Sequence, residues 1–577
     1  MYKELKRFEQ ILFDACSLVL LVFYTWSAVI TPAATQYHRG IYIIVTYILV
    51  FLLYRSKSSW FRMIDYLLII ASLTSLGYWL LNFEVINYRV GAETELDTVM
   101  AIMGVLISIE LARRVVGNVF VVIGIIMLAY GVYGYLMPDS ISHAGSSFPE
   151  LCVSIFYKSD GIFGIMANVL ATYILLFVLF GAFLEKSGAQ KFFIDLSMAS
   201  VGHKVGGPGK VAVIASGLFG SISGSAIANV VSTGTFTIPM MKKAGFKPHQ
   251  AGGIEPAASI GGMFMPPIMG AGGFLMAELT GQSYSWIMAV SLFPALMYFF
   301  SVFMMVHYEA RKLNIVGERS AHSGWTILKA GWYYITPLVL ITLLMLYGYS
   351  PAYAAVIGLV ACIVISWLRP GTRIGPKRFL EAAREGAENS LKIGATVGVI
   401  GIIIGVLTYS GLVLTLADIV ISLAEGSLFL TIALIALVSL IMGMGVPVTA
   451  AYLIVAVVAV PALTHLGVNE LAAHMIVYWL SQDSNITPPV CIAAFAGATI
   501  AKANVWKTAF SAFRFAKFLY LGPLLFGYVP EFSLDGSTFD IIKVFIYIIF
   551  GTWAYSYLLS GIWLQTWFGK KREGKKA

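Results

Sequence analysis

GSISGSAIANVVSTGTFTIPMMKKAGFKPHQAGGIEPAASIGGMFMPP, residues 220–267, decides the fold, because its punctuation returns 222 residues further on. Pro239, Gly245, Pro266 and Pro267 align without a gap against Pro461, Gly467, Pro488 and Pro489. The second copy opens with GMGVPVTAAY from Gly443 and closes with SQDSNITPP. Each copy thus starts and ends in a small, polar-dotted segment set in apolar surroundings. Paired hydrophobic segments interrupted by Gly and Pro, in corresponding positions of two halves, mark the binding site of a secondary transporter.

Working outward, 59% of the chain is hydrophobic and only 12% charged, with a mean hydropathy of +0.84. Soluble domains are roughly a quarter charged. Runs able to cross a bilayer are expected near 11–30, 41–54, 63–82, 98–112, 118–137, 162–184, 284–308, 325–347, 353–368, 391–410, 506–528 and 541–567. Asp14 interrupts the first run, which is read as a retained helix rather than a signal peptide. The fold class is therefore an all-α polytopic membrane protein; the alternating ten-residue strands of a barrel are missing. Four scattered cysteines, Cys16, Cys152, Cys362 and Cys491, form neither a metal spacing nor a disulfide framework.

The net charge of +9 reports topology rather than a nucleic-acid partner. With Lys3, Lys6 and Arg7 in the cytoplasm, so are Arg55, Lys57, Arg62, Arg113, Arg114, Arg311, Lys312, Arg369, Lys377, Arg378 and the tail at 570–576. The opposite loops hold little beyond Arg39, Arg89 and Lys158, as the positive-inside rule requires. Both termini are expected in the cytoplasm. The segment KKAGFKP at 242–248 is basic, whereas its counterpart from Thr464 has no Lys or Arg. The copies are thus expected upside down relative to each other: an inverted repeat suited to alternating access.

In each copy about thirty residues (210–240 and 430–463) are expected to form two half-length helices meeting at a Gly-rich tip, a re-entrant hairpin. A broken helix is expected next, 250–262 then 266–279, and 471–482 then 488–503. Irregular backbone at membrane depth survives only inside protein or along a watery cavity. The division expected is an N-terminal bundle over 1–137, a linker at 138–160, and a transport and scaffold region over 161–577 with repeat cores 205–280 and 428–503. Charged helices at 372–392 and 185–200 are expected along the cytoplasmic interface, and His249 and His474 in solvated loops.

Helix breaks leave carbonyls that suit a small cation and N–H groups that suit an anion. The side chains there are Ser221, Ser223, Ser225, Asn229 and Ser259 in the first copy, and Thr449, Tyr452, Gln482, Asp483, Ser484, Asn485 and Thr487 in the second. Hard oxygen donors without Cys or His suit an alkali cation rather than zinc or copper. Two cation sites flanking a substrate site follow, with Ser225, Asn229, Tyr452 and Asn485 assigned to substrate. Glu255 and Asp483 either bind a cation or carry a coupling proton; the alternative is a carboxylate at a helix end wetted from the cytoplasm. No P-loop and no nucleophile–base pair is present, so neither ATP hydrolysis nor enzyme chemistry is expected.

These segments, GSISGSA and both Pro-Pro stretches above all, resemble the large membrane subunit of TRAP transporters over about 160–530. They look most like the branch with fused small and large subunits served by a TAXI-type binding protein. The resemblance implies a monomeric elevator symporter in the inner membrane. A soluble extracytoplasmic protein would deliver an organic acid, of the glutamate or 2-oxoglutarate kind, and Na+ would drive uptake, with no organic cofactor. It carries cation roles onto Ser221, Ser223, Gly224, Ser259 and Gly262, and onto Gly443, Gly445, Thr449, Ser484 and Thr487. The chain departs from the family pattern at Ile260, Met263, Asp483 and Asn485. With Glu255 this leaves H+ coupling open. A stand-alone Na+ or H+/dicarboxylate symporter, an ion channel and a membrane-embedded hydrolase are the other readings.

Overall fold

A computed structural model describes residues 2–56, 59–317, 323–444 and 446–563. Lys57, Gly445 and the tail at 570–576 lie outside the described residues. Helices and turns account for every described element, and no strand occurs among them. Among the described residues, ten helices are long and apolar enough to cross a bilayer. Three of the spans expected from sequence differ: the run at 98–112 falls in helix Glu95–Val115, which is not one of those ten, a turn at Trp332–Tyr334 interrupts the run at 325–347, and the run at 353–368 is the shorter helix Pro351–Ser366.

The chain divides into two units. One contains Met1–Ser187, Leu340–Ser427 and Met444–His465; the other contains Gly188–Val339, Leu428–Gly443 and Leu466–Ala577. In the first, the charged helix Pro376–Gly394 packs on Leu175–Lys186, where Gly386 faces Leu179. Its Arg384 makes two 2.8 Å bonds to Asp14 and stacks on Tyr2. Trp79 stacks on Phe163 at 3.6 Å. Within the polar stretch 138–160, helix Phe148–Tyr157 is capped by Ser147 and buries Leu151, Cys152, Ile155 and Phe156.

The second unit holds the first repeat copy. Its hairpin arms are Gly207–Ser223 and Ala226–Lys243. Gly224 ends the first arm with φ +62°, a conformation that costs a side chain about 1 kcal/mol or more. Ser225 then caps the second arm by accepting from the Ala228 N–H. These arms of 17 and 18 residues are longer than the half-length expected. Their Gly, Ser and Thr content lowers hydropathy without breaking the helix. The broken helix has a leading arm, Pro248–Gly261, and a trailing arm, Gly270–Thr280.

The second copy repeats these boundaries to within three residues of the same offset: Leu428–Met442 and Val448–His465, then a leading arm Glu470–Ser481 and a trailing arm Ile492–Ala501. Both trailing arms start later than expected, at Gly270 and Ile492. Two successive prolines lack N–H groups and push the preceding residue away from helix. The chain needs further residues to turn back. Met269 and Cys491, again 222 apart, precede the trailing arms in the left-handed region, which non-glycine residues rarely enter. His474 lies inside the leading arm and is buried, not in a solvated loop as expected.

Contacts within this unit give the copies' relative direction. Gly252 on the first leading arm lies against Ala501 and Gly497 of the second trailing arm, and Pro256 lies against Gly497. Going up one arm means going down the other. Lys242 donates to the Ala501 carbonyl at 2.8 Å, so the second copy ends where the first leading arm begins. At the opposite end, Thr280 and Gln282 line one cavity with Asn469 and Glu470, where the second leading arm begins. The repeats run in opposite directions, as an inverted repeat requires.

The closest approach between copies is backbone on backbone. A Cβ at position 497 would come within 2.2 Å of the Gly252 carbonyl oxygen. Gly497→Val is expected to lower stability by about 1–3 kcal/mol through overpacking, read as a reduced melting temperature in detergent. Wild-type melting would contradict this packing.

Candidate functional site

Around the first break the hairpin and leading arm touch through glycines. A Cβ on Gly262 would lie 2.5 Å from the Gly220 Cα, and one on Gly220 would lie 2.7 Å from Asn229 Nδ2. Asn229 donates Nδ2 to the Ser216 carbonyl at 2.9 Å. Its Oδ1 and the Ser259 hydroxyl are buried with no hydrogen-bond partner among the described residues. Such orphaned groups cost about 1–3 kcal/mol each, so a ligand that satisfies them gains that much. Ser221 donates to the Leu218 carbonyl at 2.9 Å, Ser223 lies 3.5 Å from the Ser225 carbonyl, and Ser225 is occupied in its cap.

The carbonyls expected to be exposed at this break are covered. Tyr478 Oη lies 2.9 Å from the Met263 carbonyl and 2.7 Å from that of Met269, bridging both lips. Tyr284 Oη lies 2.9 Å from the Pro267 carbonyl and 2.6 Å from that of Ile268. Neither tyrosine was legible as a site residue, because both come from other helices.

The second copy also brings its hairpin against its break, here through a glycine and a serine. Ser484 occupies the space a Cβ on Gly443 would need, at 2.3 Å. The positions 222 residues earlier are Ser221 and Gly262, so each copy holds one serine and one glycine, swapped. Asp483 is 3% exposed and its Oδ1 has no partner. Ser439 Oγ, missed by the sequence reading, is likewise buried and unpartnered on the facing helix. Asn485 donates to Gln482 Oε1 at 3.3 Å. Thr487 pairs its hydroxyl with Tyr520. Thr449 and Tyr452 belong to the first unit and are buried there.

Glu255 sits in a different environment from Asp483. It is fully buried, and its carboxyl receives Ser216 at 2.5 Å together with Thr233 and Thr237. Those hydroxyls lie on both hairpin arms, so the carboxyl ties the hairpin to the leading arm. This burial excludes the wetted helix-end alternative. Asn229, Thr233 and Thr237, spaced by four, were the sequence signal of that polar stripe. No salt bridge to Glu255 or Asp483 occurs among the described residues, nor any group of three or more His, Cys, Asp or Glu that could hold a metal ion. Orphaned oxygens without sulfur or imidazole fit an alkali cation.

Residues 103–532 of the 577 match the family described as "Tripartite ATP-independent periplasmic transporter, DctM component". The chain belongs to that family. It is a multi-pass membrane transporter subunit, the large permease of a TRAP system. A TRAP transporter large permease of Haemophilus influenzae is 25% identical over 320 residues, 54% of this chain and 74% of that protein. The C4-dicarboxylate TRAP transporter large permease of Pseudomonas aeruginosa is 25% identical over 373 residues, 62% of this chain and 84% of that one. The 2,3-diketo-L-gulonate TRAP transporter large permease of Escherichia coli is 29% identical over 168 residues, 29% of this permease and 39% of its own length.

Glu255→Leu removes the acceptor that Ser216, Thr233 and Thr237 share, leaving Thr233 and Thr237 only the carbonyls of Asn229 and Thr233, at about 1–3 kcal/mol for each hydroxyl that stays unpaired; Glu255→Gln keeps an acceptor. The expected result is a clearly lower melting temperature for the leucine variant and near wild-type melting for glutamine. Equal melting of both variants and wild type would remove Glu255 from this tie.

Proposed function

We propose that this permease is an inner-membrane, Na+-coupled importer of a small organic acid, working by elevator-type alternating access. Asp483 carries the reading: a carboxyl buried at the second helix break with an unpartnered oxygen and, among the described residues, no salt bridge. A buried charge needs a counter-charge, and Na+ supplies one while cargo is bound. Ser439, Ser484 and Gly443 would complete that site, with Thr487 assigned to it from sequence. Ser259, Ser221, Ser223, Gly224 and Gly262 would form its first-copy counterpart. Asn229, Ser225 and Asn485 would contact the substrate. Glu255 would remain a tie between arms, leaving Na+ rather than H+ as the coupling ion.

Family membership supports an extracytoplasmic solute-binding protein as partner, which we take to be of TAXI type. Residues 1–137 would serve as the small subunit, fused to the large one, in a monomer with both termini cytoplasmic. The P. aeruginosa and E. coli relatives, named for C4-dicarboxylate and 2,3-diketo-L-gulonate, support an organic acid as cargo.

Proteoliposomes holding the permease, with its binding protein outside, test this directly. Accumulation is expected under an inward Na+ gradient and not under a proton gradient alone. Asp483→Asn should cut Na+-driven accumulation at least tenfold. Accumulation driven by protons alone, or without the binding protein, would overturn the coupling or the partner respectively.

A further inference from the structure

The cavity where the first trailing arm ends and the second leading arm begins encloses about 270 Å³. Trp286 forms one wall, with its side chain partly open to solvent. Glu470 and Asp535 supply two carboxylates, and neither is in a salt bridge among the described residues. Ser533 lines the same space, is 6% exposed, and has a hydroxyl with no hydrogen-bond partner. No Lys or Arg occurs at 278–286, 464–474 or 529–540. The opposite end of the same unit carries Lys242, Lys243, Lys247, Lys502 and Lys507, so by the positive-inside rule this cavity faces outward.

The cavity is smaller than pockets for drug-sized ligands, about 300–1,000 Å³, and its charge repels the organic acid that is carried. A single cationic side chain fits both limits. Arginine fits best: its planar guanidinium pairs with carboxylates in two-point fashion and stacks on an indole face. We infer that this acid-lined cavity receives an arginine side chain of the extracytoplasmic solute-binding protein, anchoring it on the outward end of the second unit. This rests on the proposed function, since the partner is the one that reading requires. The anchor differs from the cation and substrate sites at the helix breaks, and its loss weakens docking without altering them.

The test measures affinity between the purified permease in detergent and its own binding protein at two salt concentrations. Glu470→Lys and Asp535→Lys are expected to weaken binding at least tenfold while melting as wild type. Glu470→Gln should weaken it less and flatten the salt dependence. An arginine-to-glutamate substitution on the binding protein that restores affinity for the Glu470→Lys variant identifies the occupant. Wild-type affinity in both lysine variants overturns the cavity's role alone. No binding by the wild-type permease overturns the inference together with the partner it presupposes. Binding that a chelator abolishes in the wild type overturns it in favour of a divalent cation in the cavity.

Discussion

Main-chain contact between the leading arm of one copy and the trailing arm of the other organises the rest of the second unit. Gly252 and Gly497 allow two helices to meet with no side chain between them. Such closeness favours small residues in membrane proteins, where apolar burial between helices gains little. Once those arms lie antiparallel, both helix breaks are forced into protein rather than lipid. Their backbone groups must then be satisfied locally. At the first break, tyrosine hydroxyls from Tyr478 and Tyr284 do this. At the second, the chain folds on itself, with the Ile486 and Thr487 N–H groups donating to the Asp483 carbonyl at 3.0 and 2.7 Å.

That contrast separates two carboxyls that look alike in sequence. Glu255 is saturated by three hydroxyls, so it spends its hydrogen-bonding capacity on structure. Asp483 keeps an oxygen free, and Gln482 Nε2 of the preceding residue is unpartnered as well. A buried polar group left open is the kind of site at which a ligand gains most, because binding removes a desolvation penalty the protein already carries. The first copy has a milder version in Asn229 and Ser259, with no charge.

The repeat was legible because proline and glycine constrain backbone so tightly that they mark the same turn in both copies. Inversion was legible because basic residues choose a side. The lengths of the first hairpin's arms were not, since Gly, Ser and Thr lower the hydropathy of Ala226–Lys243 and so hide how far the helix runs beyond 240. Nor were Tyr478, Tyr284, Tyr520 and Ser439, whose roles come from partners far away in sequence. His474 read as a loop residue, yet lies within the helix that follows the Asn469 cap.

Opposed orientation of the copies can be read without any transport assay. Lys243 and His465 are both exposed and lie 222 residues apart, at the same place in each repeat. The four native cysteines are buried, so Lys243→Cys and His465→Cys report separately to a membrane-impermeant maleimide in sealed, right-side-out vesicles. His465→Cys should label in intact vesicles and Lys243→Cys only after they are opened. Labelling of both from the same side would contradict the inverted repeat.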